Sequence, residues 1–302
     1  MRKSSKQAAA HRHIHVPSRY LVPFDETFRV RKASTTPPRH SRDARAHEEA
    51  LAESIEVMRK LQGRLLANDR RSLLIVFQAM DAAGKDGTIK AVMSGINPAG
   101  CEVHSFKRPS EDELDHDFLW RIYNRVPERG RIGIFNRSHY EEVLVVKLHP
   151  EILDTQRLPA IPKSTVLWRE RYESIRGFEK HLARNGTTIV KFFLNVSKGE
   201  QKKRLLERID DPEANWKFQP GDLPERGIFS RYMSAYQDAL NETSRPWAPW
   251  YAVPADDKGF MRRTVAEILV ETLRQMDLHY PTPSPAQRLA MARARKSLQS
   301  EG

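Results

Sequence analysis

A chain of 302 residues is long enough to bury a full core, and one α/β domain with appendages fits that length better than two equal domains. Its 51 Lys and Arg against 39 Asp and Glu give a formal net charge of +12 and a pI near 9.8. That balance implies an anionic partner (nucleic acid, a membrane surface or a polyanionic substrate) or a merely solvated excess of cations, without choosing among them. Cys101 is the only cysteine, which excludes an intrachain disulfide and fits a reducing compartment, and no apolar run approaches the roughly 20 residues of a membrane helix.

Residues 1–46 form a basic arm, rich in Arg, His, Ser and Pro up to residue 43 and without sustained periodicity, and are expected to be extended or partly disordered. Its start, MRKSSKQAAAHRHIHVPSRY, lacks the apolar segment of a secretory signal, so the expected location is cytoplasmic. From His47 to Asn68 the pattern turns helical, with Leu51, Ile55, Met58, Leu61 and Leu65 on one face. Leu73–Phe77 is a five-residue apolar run suited to a strand buried on both faces. A turn over Gln78–Gly87 follows, and then Ile89, Val92, Met93 and Ile96 mark an amphipathic helix.

Further strands are expected at Glu102–Phe106, Arg131–Phe135, Thr187–Val196 and about Trp250–Pro254. Between them the pattern gives helices over Glu111–Val126, from Val166 to Leu182, from Ser197 to about Asp210, and from about Arg263 to His279. Residues 149–163 carry three prolines and read as an irregular insertion. Asn185-Gly186 supplies a left-handed stop, and Ser197-Lys-Gly-Glu200 has a capping-box pattern. Residues 281–302 are a basic tail. Strands alternating with helices predict a largely parallel sheet covered on both faces.

Three stretches carry candidate chemistry. The turn after the first strand has the layout of the phosphate-binding loop GxxxxGK[ST], with Ala79 in place of the first Gly and Asp86 in place of the Ser or Thr. That hydroxyl normally binds the metal of a nucleoside triphosphate, so Asp86 points away from ordinary ATP hydrolysis. Small residues at Ala79, Ala82, Ala83, Gly84 and Gly87 let backbone N–H groups approach an anion at a helix N-terminus, and Lys85 adds a point charge. Asp81 repels phosphate by itself but makes sense as a metal ligand or as a positioner of a second substrate. The alternative is an ordinary strand-to-helix turn with a stray lysine.

Asn136, Arg137, Glu141 and Glu142 follow the third strand, where an open parallel sheet would place them in the same crevice as Lys85. The two carboxylates either supply metal ligands or simply favour a helix start. His139 is open to two readings, a structural histidine or a phosphoryl carrier. Lys202, Lys203, Arg204 and Arg208 lie on a helix that would close over a polyanion, or else form a solvated face.

QAMDAAGKDGTIK (78–90), IFNRSHYEEVLVVK (134–147) and KKRLLERIDDPEANWKF (202–218), together with SFKRPSEDELDHDFLWR (105–121) and APWYAVPAD (248–256), resemble the polyphosphate kinase 2 family over about residues 47–280. The resemblance implies a P-loop kinase-like three-layer α/β sandwich with a mostly parallel sheet and a helical lid at about 198–230. It implies a Mg²⁺-dependent enzyme (Mn²⁺ being an alternative) that moves a terminal phosphoryl group reversibly between inorganic polyphosphate and a nucleoside mono- or diphosphate, often as a homo-oligomer.

Carried over by position, Lys85 binds the transferred phosphate and Asp81 orients acceptor and metal. Arg137 braces the transferred group, Glu142 holds metal, and Arg204 clamps from the lid. Ala82, Ala83, Gly84, Asp86, Gly87, Lys203 and Arg208 join Lys85 in holding phosphate, and Asn136 and Glu141 join Asp81 at the nucleotide. Asn-Arg-Ser-His-Tyr in place of the commoner Asp-Arg-Ser-Trp-Tyr resembles the branch accepting both AMP and ADP, in which Asp is common where Glu142 stands. An ATP-using kinase is the alternative enzyme, and a nucleic-acid-binding protein the alternative outside catalysis.

Overall fold

The computed structural model describes residues 13–41, 43–218 and 220–301. Asp43 opens helix α1 (Ala44–Asn68) by accepting from the N–H groups of Arg45 and Ala46 at 3.0 and 3.3 Å, which satisfies two donors that have no intrahelical acceptor. After a left-handed Asp69 the chain enters strand β1 (Ser72–Gln78), every residue of which is buried. Such unbroken apolarity is what a parallel strand covered on both faces requires. Then come α2 (Lys85–Val92), β2 (Cys101–Ser105), the single-turn helices α3 (Glu111–Leu114) and α4 (Trp120–Tyr123), β3 (Ile132–Asn136), α5 (Glu141–Leu148) and α6 (Ser164–Arg184). Strand β4 (Thr187–Asn195), α7 (Lys198–Asp210), α8 (Asp222–Gly227), α9 (Phe229–Thr243), β5 (Trp250–Pro254), α10 (Lys258–Gln275) and α11 (Pro285–Gln299) complete the order.

The five strands pair in the order β2-β3-β1-β4-β5, all parallel. Helices α1, α2 and α10 pack together on one side, while α5, α6 and α9 form the other layer. Phe77 and Phe192 stack at 5.2 Å between centroids in the middle of the sheet. Each fully buried side chain of this size contributes about 1.5–3 kcal/mol of transfer free energy. Because the chain leaves β1 toward β2 and leaves β3 toward β4, the connections diverge between β1 and β3. That divergence opens a crevice at the strands' carboxyl ends. Register holds the two ends level, with Phe77 opposite Asn136 and the Arg137 N–H donating to Phe77 O at 3.1 Å.

Several details differ from expectation. The helix expected over Glu111–Val126 is two short ones, because Asp117 breaks it by accepting the Leu119 N–H at 2.9 Å. The insertion contains a 3₁₀ helix over Pro150–Gln156, and α10 starts at Lys258 under an Asp257 cap. Half of the Ser197 capping box forms: Ser197 accepts the Glu200 N–H, but the Glu200 carboxylate goes to Arg204. The tail holds α11, capped by Ser284 and Gln287, with no buried residue. Residues 1–12 and 42 of the expected arm lie outside the described residues. Its described part runs along the β5 edge, where Val22 N–H donates to Trp250 O and Ala252 N–H to Tyr20 O, and it buries Val16, Val22 and Val30. An edge otherwise open to other chains is thereby covered. Among the described residues no helix is long and apolar enough to cross a membrane.

Candidate active site

The turn after β1 is shaped by two left-handed residues, Ala82 (φ 62°) and Gly84 (φ 103°). A Cβ at Gly84 would meet Met261 Cε at 3.2 Å, so both the backbone angle and the space call for glycine. The first turn of α2 directs the N–H groups of Lys85, Asp86 and Gly87 out of the helix without intrahelical acceptors, beside the positive end of the dipole. Lys85, only 8% exposed, lays its ammonium across the same turn, donating to Ala79 O at 2.7 Å and Met80 O at 3.4 Å. Burial pulls its pKa below the usual lysine range, while Asp81 pushes the other way. This collects donors and one movable cation around a point, as phosphate requires.

Arg137 faces that point from the end of β3, itself left-handed at φ 62°. Its Nη2 donates to Asp81 Oδ1 at 2.6 Å, and its Nη1 lies 3.5 Å from Glu141 Oε2. Burial would lower the guanidinium, but Glu141 and Asp81 more than offset it. Glu141 is pushed up by desolvation against the pull of Arg137 and Lys85. Asn136 Nδ2 donates to Asp86 Oδ1 at 2.7 Å, so the residue standing where a hydroxyl was expected is tied to the adjacent strand.

Two expected residues are placed differently from their assigned roles. Glu142 is buried in a ring of contacts with Arg171 and Gln156: Arg171 Nε sits 3.0 Å from Oε1 as an ion pair without a hydrogen bond, Gln156 Nε2 donates to Oε2 at 2.8 Å, and Arg171 Nη2 donates to Gln156 Oε1 at 3.1 Å. The carboxylate in electrostatic reach of Lys85 and Asp81 is Glu141, because neighbours in a helix point about 100° apart. Arg204 is likewise enclosed. Its Nη1 donates to Ala83 O at 2.8 Å, its Nη2 to Ala255 O at 2.7 Å and Asp256 O at 3.1 Å, and its Nε to Glu200 at 2.8 Å. It is a strut joining the phosphate turn, α7 and the loop after β5. Lys203 is exposed and 3.8 Å from Glu207, and Arg208 is half-buried on the same helix.

His139 is buried with its Nε2 3.4 Å from Glu179 Oε1, and burial lowers its pKa despite that carboxylate, which favours the structural reading of this side chain. Residues that the sequence did not single out also converge here. Gln201 donates to Asp81 O at 3.1 Å and accepts from Arg226 at 2.8 Å, linking the lid helices to the turn. Tyr232 and Tyr236 lie on α9 within reach of the crevice charges. Burial pushes both hydroxyls up, helped by Glu225 for Tyr232 and by Glu141 for Tyr236. Their spacing with Ala239, Leu240 and Thr243 is helical and was the available signal. Arg121, by contrast, ends the 105–121 stretch that the sequence did single out: half-buried over the Phe106 ring at 5.3 Å, it feels the Glu141 charge.

Among the described residues no cluster of three His, Cys, Asp or Glu side chains is arranged as a metal cage. The donors nonetheless fit a hard divalent cation that keeps waters and takes one or two carboxylates plus substrate oxygens. Asp81 and Glu141, partly exposed to the crevice, meet that description, whereas Glu142 is buried beside Arg171 and Gln156 with its Oε1 accepting no hydrogen bond.

Residues 41–281 match the protein family described as Polyphosphate kinase 2. The chain is 52% identical over 255 residues to an ADP-polyphosphate phosphotransferase of Rhodopseudomonas palustris, covering 83% of this chain and 88% of that protein. It is 48% identical over 238 residues to an AMP/ADP-polyphosphate phosphotransferase of Meiothermus ruber, covering 79% and 85% respectively. In fold it is similar to the crystal structure of Polyphosphate Kinase 2 from Arthrobacter aurescens TC1, with a TM-score of 0.81 at 33% identity over 96% of this chain and 100% of that one.

Proposed function

The chain belongs to the polyphosphate kinase 2 family, and from that premise we propose how its own residues carry out the transfer. It is a polyphosphate-dependent nucleotide phosphotransferase on a P-loop kinase-like fold, moving a terminal phosphoryl group between inorganic polyphosphate and a nucleoside mono- or diphosphate. The observation that carries the residue-level reading is the convergence of Lys85, Arg137, Asp81 and Glu141 at the divergence between β1 and β3, with Asp86 engaged by Asn136.

In this reading the terminal phosphoryl lies between Lys85 and Arg137, cradled by the N–H groups of the Ala82–Gly87 turn. A terminal phosphate oxygen of the nucleotide attacks in line, the bridging P–O bond of the donor breaks, and the shortened chain leaves with the bridging oxygen. The attacking oxygen is already anionic, so no general base is needed and catalysis is positioning plus charge neutralisation. Lys85 exchanges its contacts with the Ala79 and Met80 carbonyls for phosphate oxygens as charge develops. Arg137 is held in place for this by Asp81 and Glu141.

Mg²⁺, or Mn²⁺ in its place, would be held by Asp81 with Glu141 beside it and would neutralise phosphate charge. Lys203 and Arg208 of α7 meet the polyphosphate chain, while Arg204 keeps the turn in shape. Polyphosphate binding then weakens with salt, as for other polyanions. Assembly as a homo-oligomer belongs to the same proposal, and sedimentation of the purified chain tests it.

The test is to incubate the purified protein with Mg²⁺ and polyphosphate and with AMP, ADP, GMP or GDP in turn. Phosphorylated nucleotide is expected from the wild type and near-complete loss of turnover from Lys85→Ala. No product with any acceptor sinks the proposal.

A further inference from the structure

The turn that presents Arg137 and Glu141 to the crevice turns its intervening side chains inward: Ser138, His139 and Tyr140 are all buried. Behind them lies an ion pair inside the core. Lys191, in the middle of β4 and 0% exposed, donates to Glu179 Oε2 of α6 at 2.6 Å. Its other donors go to the Tyr140 hydroxyl at 2.7 Å and to Thr243 O, at the end of α9, at 3.0 Å. The Tyr140 hydroxyl in turn donates to Glu179 Oε1 at 2.8 Å, closing a triangle. Trp250 completes the enclosure, its ring 5.1 Å from the ammonium and its Nε1–H on Thr243 Oγ1 at 2.9 Å.

Stability alone does not account for this arrangement. Removing two charges from water is expensive, and well-packed apolar replacements of buried pairs are often neutral or stabilising. What the triangle does is join three elements at one atom of the catalytic turn. Tyr140 is the N-cap of α5, next to Glu141 and three residues after the left-handed Arg137. The Tyr140 N–H and Gln78 Nε2 both donate to Ser138 Oγ, at 3.2 and 3.1 Å, so the same turn is also tied to the end of β1. Fixing the Tyr140 hydroxyl therefore fixes the direction in which Arg137 and Glu141 leave the backbone.

We propose that Lys191, Glu179 and Tyr140 are positioning residues for phosphoryl transfer, the buried pair acting through the Tyr140 hydroxyl to hold Arg137 and Glu141 at the transferred group. This rests on Arg137 bracing that group, as described above. Small displacements of groups that position a reacting centre lower rate far more than binding.

The test compares Tyr140→Phe, which removes one hydroxyl and keeps the pair, with Lys191→Met/Glu179→Gln, which removes both charges together. Arg137→Ala is run beside them. Both network variants are expected to fold, with melting temperatures within a few degrees of wild type. Their kcat should fall by about tenfold or more, with KM for nucleotide and polyphosphate within about twofold. Wild-type kcat in both overturns the proposal, as does a loss of rate that disappears once activity is normalised to folded protein by circular dichroism. If Arg137→Ala is inactive while Tyr140→Phe is fully active, the role of Arg137 stands and the network's role fails. If Arg137→Ala is fully active, both fail.

Discussion

Asn136 Nδ2 donates to Asp86 Oδ1 across 2.7 Å, so Asp86, one of the two positions at which this phosphate loop departs from the GxxxxGK[ST] pattern, is partnered by the first residue of the Asn-Arg-Ser-His-Tyr stretch. A carboxylate stands at the helix start, where the dipole favours it, and the amide that meets it stands at the strand end. Asn136→Asp would set two carboxylates at hydrogen-bond distance, which like-charge repulsion disfavours. Asn136→Asp and Asp86→Asn are each expected to lower kcat by tenfold or more, and the reciprocal double variant is expected to recover part of it. Steady-state kinetics of the four proteins gives the coupling, of about 1–3 kcal/mol for directly contacting groups.

Glu141 and Glu142 differ in what they touch, and so in what their removal does. Glu141→Gln removes a charge that holds Arg137, so kcat is expected to fall by one to two orders of magnitude with little change in melting temperature. Glu142→Gln breaks a buried ring with Arg171 and Gln156 and is expected to destabilise by about 2–4 kcal/mol, with turnover per folded molecule within a few-fold of wild type. Thermal melts beside rate measurements separate the two, and the reverse pattern would return the metal-holding role to Glu142.

Arg204 and Lys203 are neighbours on α7 with opposite surroundings. Arg204→Ala leaves carbonyls of Ala83, Ala255 and Asp256 without their donor, each loss worth about 1–3 kcal/mol. It should lower the melting temperature by several degrees in the absence of any substrate. Lys203→Ala is expected to leave the melt unchanged, raise KM for polyphosphate and reduce its salt dependence. An unchanged melt for Arg204→Ala would restore a free clamping role for that guanidinium.

Lys191 has a pKa drawn down to about 8 by burial, with the Arg245 charge adding to the lowering and Glu179 pulling the other way; burial also lowers the pKa of His139, which lies beside Glu179. Between that value and the ordinary lysine value of 10.5 the unfolded chain carries a proton that the folded chain has released. Stability rises with pH wherever the unfolded state binds more protons. Wild type is therefore expected to gain stability relative to Lys191→Met/Glu179→Gln as pH rises through this window. Urea midpoints of both proteins at several pH values check it, and a relative loss would contradict the assignment.

The strands were legible because parallel strands buried on both faces leave apolar, β-branched and aromatic runs, unbroken in Leu73–Phe77 and interrupted only by Lys191 and Asn195 in Thr187–Val196. The phosphate turn was legible because small residues and a lysine between a strand and a helix have few other uses. What the sequence could not show was aim. Which of Glu141 and Glu142 meets the crevice depends on helix phase at a terminus, where a shift of one residue turns a side chain by about 100°. Arg204 read as a free cation because, beside Glu200 one turn away, its partners are backbone carbonyls more than 50 residues distant in sequence, which no spacing rule reveals. Lys191 sits in a strand pattern whose neighbours are apolar, and its acid comes from α6 and its hydroxyl from the catalytic turn.

The central claim is that this loop is a cradle for a phosphate chain as donor. The most direct measurement offers radiolabelled AMP or ADP to the purified enzyme with Mg²⁺ and either polyphosphate or a nucleoside triphosphate at matched terminal-phosphate concentration. Initial rates should be far higher with polyphosphate, and Lys85→Ala should abolish them. Efficient transfer from the triphosphate, with polyphosphate inert, would contradict the account.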